Sequence, residues 1–116
     1  MSDWSSEVFL KQIGPLVTIA PELLKLFITS LDDKVLQLQS CALLEQFSLL
    51  QNLAHSIKGS AGQVGCAGLA QCALALENAV KLGAKEEMQT AIRLLMIQAD
   101  ADINKIKTFL ATMDTQ

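Results

Sequence analysis

The sequence predicts an all-α protein, an up-down-up-down four-helix bundle with a short extra N-terminal helix. Hydrophobic residues make up 51% of the chain and charged residues 18%, which is enough apolar surface for a packed core. Aromatic residues contribute only 4%, so leucine, isoleucine, alanine and methionine must fill that core, which favours helices packed on helices. The only two prolines are Pro15 and Pro21, so the chain after Pro21 can be helix interrupted by short turns. A length of 116 residues predicts one domain over residues 1–116.

The first part of the chain predicts two helices. A short amphipathic helix is expected from Ser5 to Ile13, where Gly14-Pro15 ends it. Its apolar residues are Val8, Phe9 and Ile13. A second helix is expected to begin near Pro21, because proline suits the first helical position, and to end in an irregular turn over Ser40–Leu44. Its apolar residues recur at intervals of three and four, as in a core-facing helix: Leu24, Phe27, Ile28, Leu31, Val35 and Leu38.

The rest of the chain predicts three further helices separated by glycines. The third is expected from about Glu45 to Val64, the fourth ends at Gly83, and the fifth runs from about Lys85 to Met113. Their expected inward residues are Phe47, Leu50, Ala54, Ile57, Ala61 and Val64 on the third, Leu69, Cys72, Ala73, Leu76 and Val80 on the fourth, and Met88, Ile92, Leu95, Ala99, Ile106 and Leu110 on the fifth. Four long amphipathic helices with short connections are typical of an up-down-up-down bundle.

Composition excludes several classes of function. The net charge is −3, Arg93 is the only arginine and the lysines are scattered, which argues against nucleic-acid binding. The uncharged run from Gly59 to Leu76 contains four glycines and several polar residues, so we expect packed helices there and no membrane segment. No basic stretch leads into an apolar run at the N-terminus, so no secretory signal is predicted. The three cysteines, Cys41, Cys66 and Cys72, are odd in number and lack CxxC spacing, which predicts reduced thiols and a cytoplasmic location.

The functional prediction begins at His55, the only histidine. At about 100° per residue, His55 lies about 120° from the centre of the apolar stripe of its helix, so it is expected to point away from the core. Four residues on the same side of the helix are small or polar: Ser48, Asn52, Gly59 and Gly62. Each glycine in a helix interior costs about 1 kcal/mol relative to alanine. The absent side chain at Gly59, one turn from His55, would leave the surface beside the imidazole open.

This pattern suits a carrier of phosphoryl groups. Histidine titrates near neutral pH, and its neutral imidazole is a good nucleophile. Lys58 lies one helical turn from His55, where its ammonium can reach a phosphoryl oxygen. Phosphoryl transfer needs mainly positioning and charge neutralisation. Each feature alone has a simpler interpretation: a surface histidine without a role, a solvated lysine, or glycines that allow close helix packing.

The complete motif is more specific. The segment Ala54-His55-Ser56-Ile57-Lys58-Gly59-Ser60-Ala61-Gly62-Gln63-Val64-Gly65 closely resembles the signature around the phosphoacceptor of histidine-containing phosphotransfer domains. The family pattern is roughly Ala-His-x-(Leu/Ile)-Lys-Gly-(Ser/Ala)-(Ser/Ala)-x-x-hydrophobic-Gly, and every fixed position matches. Leu69, the Leu76-Glu77 pair and Gly83 are similar to the family's next helix and its end. The resemblance extends over about residues 27–109 in helix order and is specific only between Ala54 and Gly65.

The resemblance implies a role for each residue of the motif. His55 would be the phosphoacceptor, on Nε2, and Lys58 would stabilise the phosphoryl group. Gly59 would leave room for a receiver domain to dock. We expect the docking face to consist of the small and polar residues around His55, namely Ser48, Asn52, Gly59 and Gly62. The implied partners are response-regulator receiver domains and a sensor histidine kinase. No cofactor is expected in the chain itself, because Mg²⁺ would be supplied by the receiver domain.

Three alternatives remain open at the level of sequence. The chain could be a helical adaptor that binds a partner without chemistry, or the phosphoacceptor segment of a larger kinase. A metal site is disfavoured, because His55 has no second histidine and no cysteine at ligand spacing in its helix. No glycine-rich ATP loop is present, so we expect no kinase activity of its own. Lys58 is expected to assist transfer and to contribute little to folding.

Overall fold

A computed structural model describes residues 3–114, and within them the chain is helical with no strand. In chain order the elements are α1 (Ser6–Ile13), a short 3-10 helix (Gly14–Ile19), α2 (Ala20–Leu43), α3 (Phe47–Gln63), α4 (Ala67–Leu82) and α5 (Lys85–Asp114). Helix α3 packs on α4, α4 packs on α5, and α2 contacts both α3 and α5. Since the turns between the four long helices are only two or three residues long, neighbouring helices are antiparallel. The predicted bundle with a short extra N-terminal helix is confirmed.

Local sequence explains where these helices begin and end. The Ser5 hydroxyl accepts a hydrogen bond from the amide of Val8 and caps the start of α1. Pro21 lies in the first turn of α2, as expected from its fixed backbone angle. Gly83 ends α4 in the left-handed conformation, with φ +67°, and its amide donates to carbonyls of the last turn.

The boundary between α2 and α3 differs from the prediction. The irregular turn expected over Ser40–Leu44 is wrong, because α2 remains helical to Leu43. Cys41 extends the buried stripe of α2 by one turn beyond Leu38, and this packing keeps the segment helical. Helix α3 begins at Phe47 and not at Glu45, whose positive φ of +55° places it in the turn.

The core matches the predicted stripes closely. The inward residues expected on α2 to α5 are buried, except Val35 and Phe47, which are partly buried and pack against the core. In α1 the prediction is wrong for Val8, which was assigned to the apolar face of that helix but is 54% exposed. The residues that attach this end of the chain are instead Trp4, Phe9 and Ile13, which are all buried. Trp4 packs its ring against Phe9 and against Phe109 of α5.

All three cysteines are buried thiols, as expected of small core residues. Burial raises the pKa of Cys66 and of Cys72, so neither thiol ionises readily. A reactive or metal-binding cysteine needs the opposite shift. Among residues 3–114 there is no group of histidine, cysteine and acidic side chains that could hold a metal ion.

One helical stretch, Ser6–Leu43, is long and apolar enough to cross a membrane by length and composition alone. It combines α1, the 3-10 helix and α2, and core helices of soluble proteins pass the same test. Leu24, Leu31 and Leu38 of this stretch are almost fully buried inside the bundle. The uncharged run from Gly59 to Leu76 forms the end of α3, a turn and the start of α4, as predicted.

Candidate functional site

His55 lies near the middle of α3, on the side of the helix that faces solvent. Its side chain is 69% exposed, whereas its neighbour Ala54 and Ile57 are fully buried. The three-to-four spacing of the buried residues of α3 therefore turns the imidazole outward, as predicted. The ring lies on open surface and not inside a cavity. A groove of about 600 Å³ lies elsewhere, between α2 and α5, and His55 does not line it.

A buried carboxylate supports the imidazole from below. Glu77 of α4 is only 6% exposed, and its Oε2 lies 3.2 Å from Nδ1 of His55. The Lys58 ammonium lowers the pKa of Glu77, burial opposes that effect, and His55 adds to the lowering. Because the net shift is downward, Glu77 is ionised at neutral pH and can only accept hydrogen bonds. Nδ1 must then carry the proton that it donates to Glu77, which leaves the lone pair of a neutral ring on Nε2.

Two lysines share the same carboxylate. The Nζ atom of Lys58 lies 3.0 Å from Oε1 of Glu77, and the Nζ atom of Lys81 lies 3.9 Å from Oε2. Glu77 thus gathers His55 and two ammonium groups at one point on the surface, between α3 and α4. The Lys58 side chain is 32% exposed, and its ammonium pairs with a buried acid. Because removing one partner of such a pair is costly, we now expect Lys58 to contribute to stability as well as to transfer, and unfolding measurements on Lys58→Ala would decide between this and the expectation from sequence.

The predicted docking face is exposed and unobstructed. Ser48, Asn52, Gly59 and Gly62 are all solvent-exposed residues of α3. A Cβ atom added to Gly59 or to Gly62 would meet no atom within 4 Å. Close helix packing therefore does not explain either glycine, and that simpler interpretation is excluded. The structure brings the whole face together around His55, with Lys58 at its edge.

A family model described as the Hpt domain matches residues 22–114. The chain belongs to the Hpt family. Hpt domains are phosphotransfer carriers of two-component signalling, which interact with receiver domains and kinases. The matched region includes His55, Lys58 and Glu77, whereas α1 and the 3-10 helix precede it. No curated protein and no solved structure gave a significant match to this Hpt chain.

Reasoning from sequence alone missed two members of this Hpt site, Glu77 as the support of the ring and Lys81 as a second cation. A signal for Glu77 was present, because it adjoins Leu76 on a stripe that must face the core, where an acid needs a partner. The sequence does not reveal which partner it has. His55 is 22 residues away on another helix, and only the packing of α3 on α4 brings the two together.

Proposed function

We propose that this chain is a phosphorelay intermediate that accepts a phosphoryl group on Nε2 of His55 and passes it to a receiver domain. The donor would be the aspartyl phosphate of another receiver domain or a sensor histidine kinase. The observation that supports this proposal most strongly is the 3.2 Å contact between Nδ1 and buried Glu77 beneath an exposed ring. That contact orients the imidazole and directs its lone pair toward solvent.

Transfer of a phosphoryl group to the neutral ring requires no proton to leave Nε2. The Nε2 lone pair attacks phosphorus, a P–N bond forms, and the P–O bond to the receiver's aspartate breaks with its electron pair leaving on the carboxylate. The ring then carries a positive charge, and Nδ1–H remains hydrogen-bonded to Glu77. An anion at Nδ1 therefore stabilises the charge that develops as the P–N bond forms. Reversal of these steps delivers the phosphoryl group to the next aspartate.

The two lysines supply positive charge that can offset the negative charge of the phosphoryl group. A phosphoryl group on Nε2 brings up to two negative charges to the surface beside Lys58 and Lys81. Both ammonium groups lie within 4 Å of Glu77, the residue that contacts the ring of His55, and rotation of either flexible side chain would carry its charge toward the phosphoryl oxygens. We assign Lys58 the larger role, because it follows His55 by one turn on the same helix.

The partner would supply the remaining components. A receiver domain docks on Ser48, Asn52, Gly59 and Gly62 and contributes its aspartate and Mg²⁺. The chain itself would need no cofactor and would have no kinase activity, nucleic-acid partner or membrane contact. The thiols and the carrier role fit a cytoplasmic protein.

Labelling by a phosphorylated receiver domain tests the proposal. We expect the parent chain to take up an acid-labile, base-stable phosphoryl group, and NMR of the labelled ring should place it on Nε2. His55→Gln should take up none, and the parent incubated with ATP and Mg²⁺ alone should remain unlabelled. A parent chain that binds the receiver but accepts no label would be a helical adaptor. Equal labelling of His55→Gln would show that another residue is the acceptor.

A further inference from the structure

Side chains from the N-terminal segment hold the C-terminal end of α3 by hydrogen bonds. The last carbonyls of any helix lack partners within that helix. Here the side-chain amide of Gln12 donates from Nε2 to the carbonyl of Gly62 at 2.7 Å and to that of Gln63 at 2.9 Å. The indole of Trp4 donates to the carbonyl of Val64, the next residue, at 2.8 Å. We call Trp4 and Gln12 the N-terminal clamp.

The N-terminal clamp is fixed to the bundle by packing. Trp4 is buried between Phe9 and Phe109, and Phe9 itself is fully buried. Helix α1 also lies directly against the turn that follows α3. A Cβ atom at Gly65 would come within 3.1 Å of Oε1 of Gln12 and 3.8 Å of the Phe9 backbone. The buried residues Phe9 and Ile13 thus anchor α1, which carries the exposed side chain of Gln12 over the end of α3.

Helix α3 requires such support because of its own sequence. Gly59 and Gly62 occupy its last two turns, and each weakens the helix by about 1 kcal/mol relative to alanine. No basic residue in the last turn offsets the helix dipole. A helix end of this composition opens readily. Opening as far as Gly59 would release the turn that holds Lys58 and would disturb the docking face.

We propose that Gln12 is a positioning residue for phosphoryl transfer, which acts by holding the glycine-rich end of α3 so that Lys58 keeps its place. This inference rests on the proposed function of His55. Gln12 and α1 lie outside residues 22–114, the region that the family model matches. The hydrogen bonds from Gln12 would keep the end of α3 ordered although the helix carries exposed glycines beside the imidazole.

Two variants at residue 12 separate the hydrogen-bond donor from the shape of the side chain, and a third variant at residue 11 is the control. Gln12→Glu keeps the shape and removes the donor, whereas Gln12→Lys keeps a donor for the two carbonyls. For Gln12→Glu we expect hydrogen exchange of the amides of residues 60–63 to speed up about fivefold to tenfold, the effect of losing one net hydrogen bond. Phosphoryl transfer from a receiver should slow about threefold or more for the same reason. Gln12→Lys should restore both, and Lys11→Ala, an exposed change on the same helix, should alter neither.

A double-mutant cycle with Lys58→Ala supplies a readout that a purely structural residue would not affect. If Gln12 acts by positioning Lys58, then Gln12→Glu should slow transfer much less in the Lys58→Ala background than in the parent. Additive effects, or a Gln12→Glu variant that transfers at the parental rate while His55 of the parent is labelled, would overturn the positioning role alone. A parent chain that takes no label would remove the proposed function and the positioning role together.

Discussion

Two buried carboxylates, Glu77 and Asp102, show how neighbours decide what a buried acid does. Glu77 is 6% exposed and lies among His55 and two lysines, and its pKa is lowered mainly by Lys58. Asp102 of α5 is fully buried, and its pKa is raised mainly by burial, because its partners are neutral donors. Its Oδ1 accepts from the backbone amide of Trp4 at 2.9 Å and from Gln98 at 3.1 Å.

The two acids differ in what they contribute: one acts through its negative charge, and the other acts through the hydrogen bonds that it accepts. Glu77 keeps its negative charge under the exposed ring of the candidate site. Asp102 accepts a hydrogen bond from the backbone amide of Trp4 and so helps to anchor that residue, and no cation is among its partners within residues 3–114. We therefore expect neutral replacements of the two acids to have different consequences. Replacement of Glu77 should slow phosphoryl transfer, whereas replacement of Asp102 should mainly change stability.

The largest expected effect is on the rate of transfer in Glu77→Gln. Hydrogen bonds to charged groups contribute about 1.5–3 kcal/mol, so loss of the anion under Nδ1 should slow transfer from a phosphorylated receiver about 30-fold. Single-turnover kinetics would measure this. The matched control is Asp102→Asn, which also replaces a buried acid but keeps an acceptor oxygen for the amide of Trp4, and it should leave the rate within about twofold of the parent. Equal losses in both variants would show that the effect reflects general destabilisation.

Gly59→Gln tests whether the open docking face is as important for phosphoryl transfer as the carboxylate of Glu77. A Cβ atom at this position meets open space, so the variant should fold as well as the parent or be more stable by up to about 1 kcal/mol. The added side chain covers the docking face, and we expect transfer from a receiver to fall about tenfold, as for loss of about 1.4 kcal/mol of binding. Small phosphoryl donors that need no docking surface should be less affected.

Gly65→Ala is the matched control for that experiment. Gly65 has a φ of +79° and a close neighbour in Gln12, so a side chain there is strained. We expect a loss of about 1–2 kcal/mol in the free energy of unfolding from urea titration. If Gly59→Gln is destabilised as much as Gly65→Ala, Gly59 is required for folding and the docking face loses its support.

Lys58→Ala should affect both activity and stability, each moderately. Removal of one partner of a buried acid is costly, but about a third of the Lys58 side chain is exposed and Lys81 remains near Glu77. We expect a loss of about 1 kcal/mol in unfolding free energy and a severalfold slower transfer. Lys81→Ala, with its longer contact and more exposed side chain, should change each quantity less. A larger effect for Lys81→Ala would reverse the roles assigned to the two lysines.

The smallest effects should appear in the pH dependence of stability. The lowered pKa of Glu77 contributes stability above its unfolded value of 4.5, and that stability is lost as pH falls through the folded pKa. The raised pKa of Asp102 acts in the opposite direction, because stability is lost as pH rises from its unfolded value of 3.8 through the folded pKa. Relative to the parent, Glu77→Gln should therefore lose most at neutral pH, whereas Asp102→Asn should gain as pH rises from 3.8. Urea midpoints measured between pH 3 and pH 7 would detect both trends; parallel curves for parent and variants would contradict them.

The sequence predicted what periodicity encodes and missed what depends on distant packing. The outward direction of His55 followed from the buried residues around it, and the stripes of the long helices were almost all correct. Val8 was placed wrongly, because three apolar residues in so short a helix do not define which face packs. The contacts of Glu77 with His55 and of Gln12 with Gly62 join residues 22 and 50 positions apart, and no local pattern reports such a pairing.

The contact between His55 and Glu77 bears on the direction of traffic through the proposed carrier. The carboxylate touches Nδ1, the nitrogen that takes no part in bond making, so it can serve the free ring and the phosphorylated ring alike. Loading and unloading would pass through the same arrangement of atoms. Such a carrier would accept a phosphoryl group from one receiver domain and deliver it to another through the same transition state. The relative abundance of phosphorylated and unphosphorylated partners would then set the net flow by mass action.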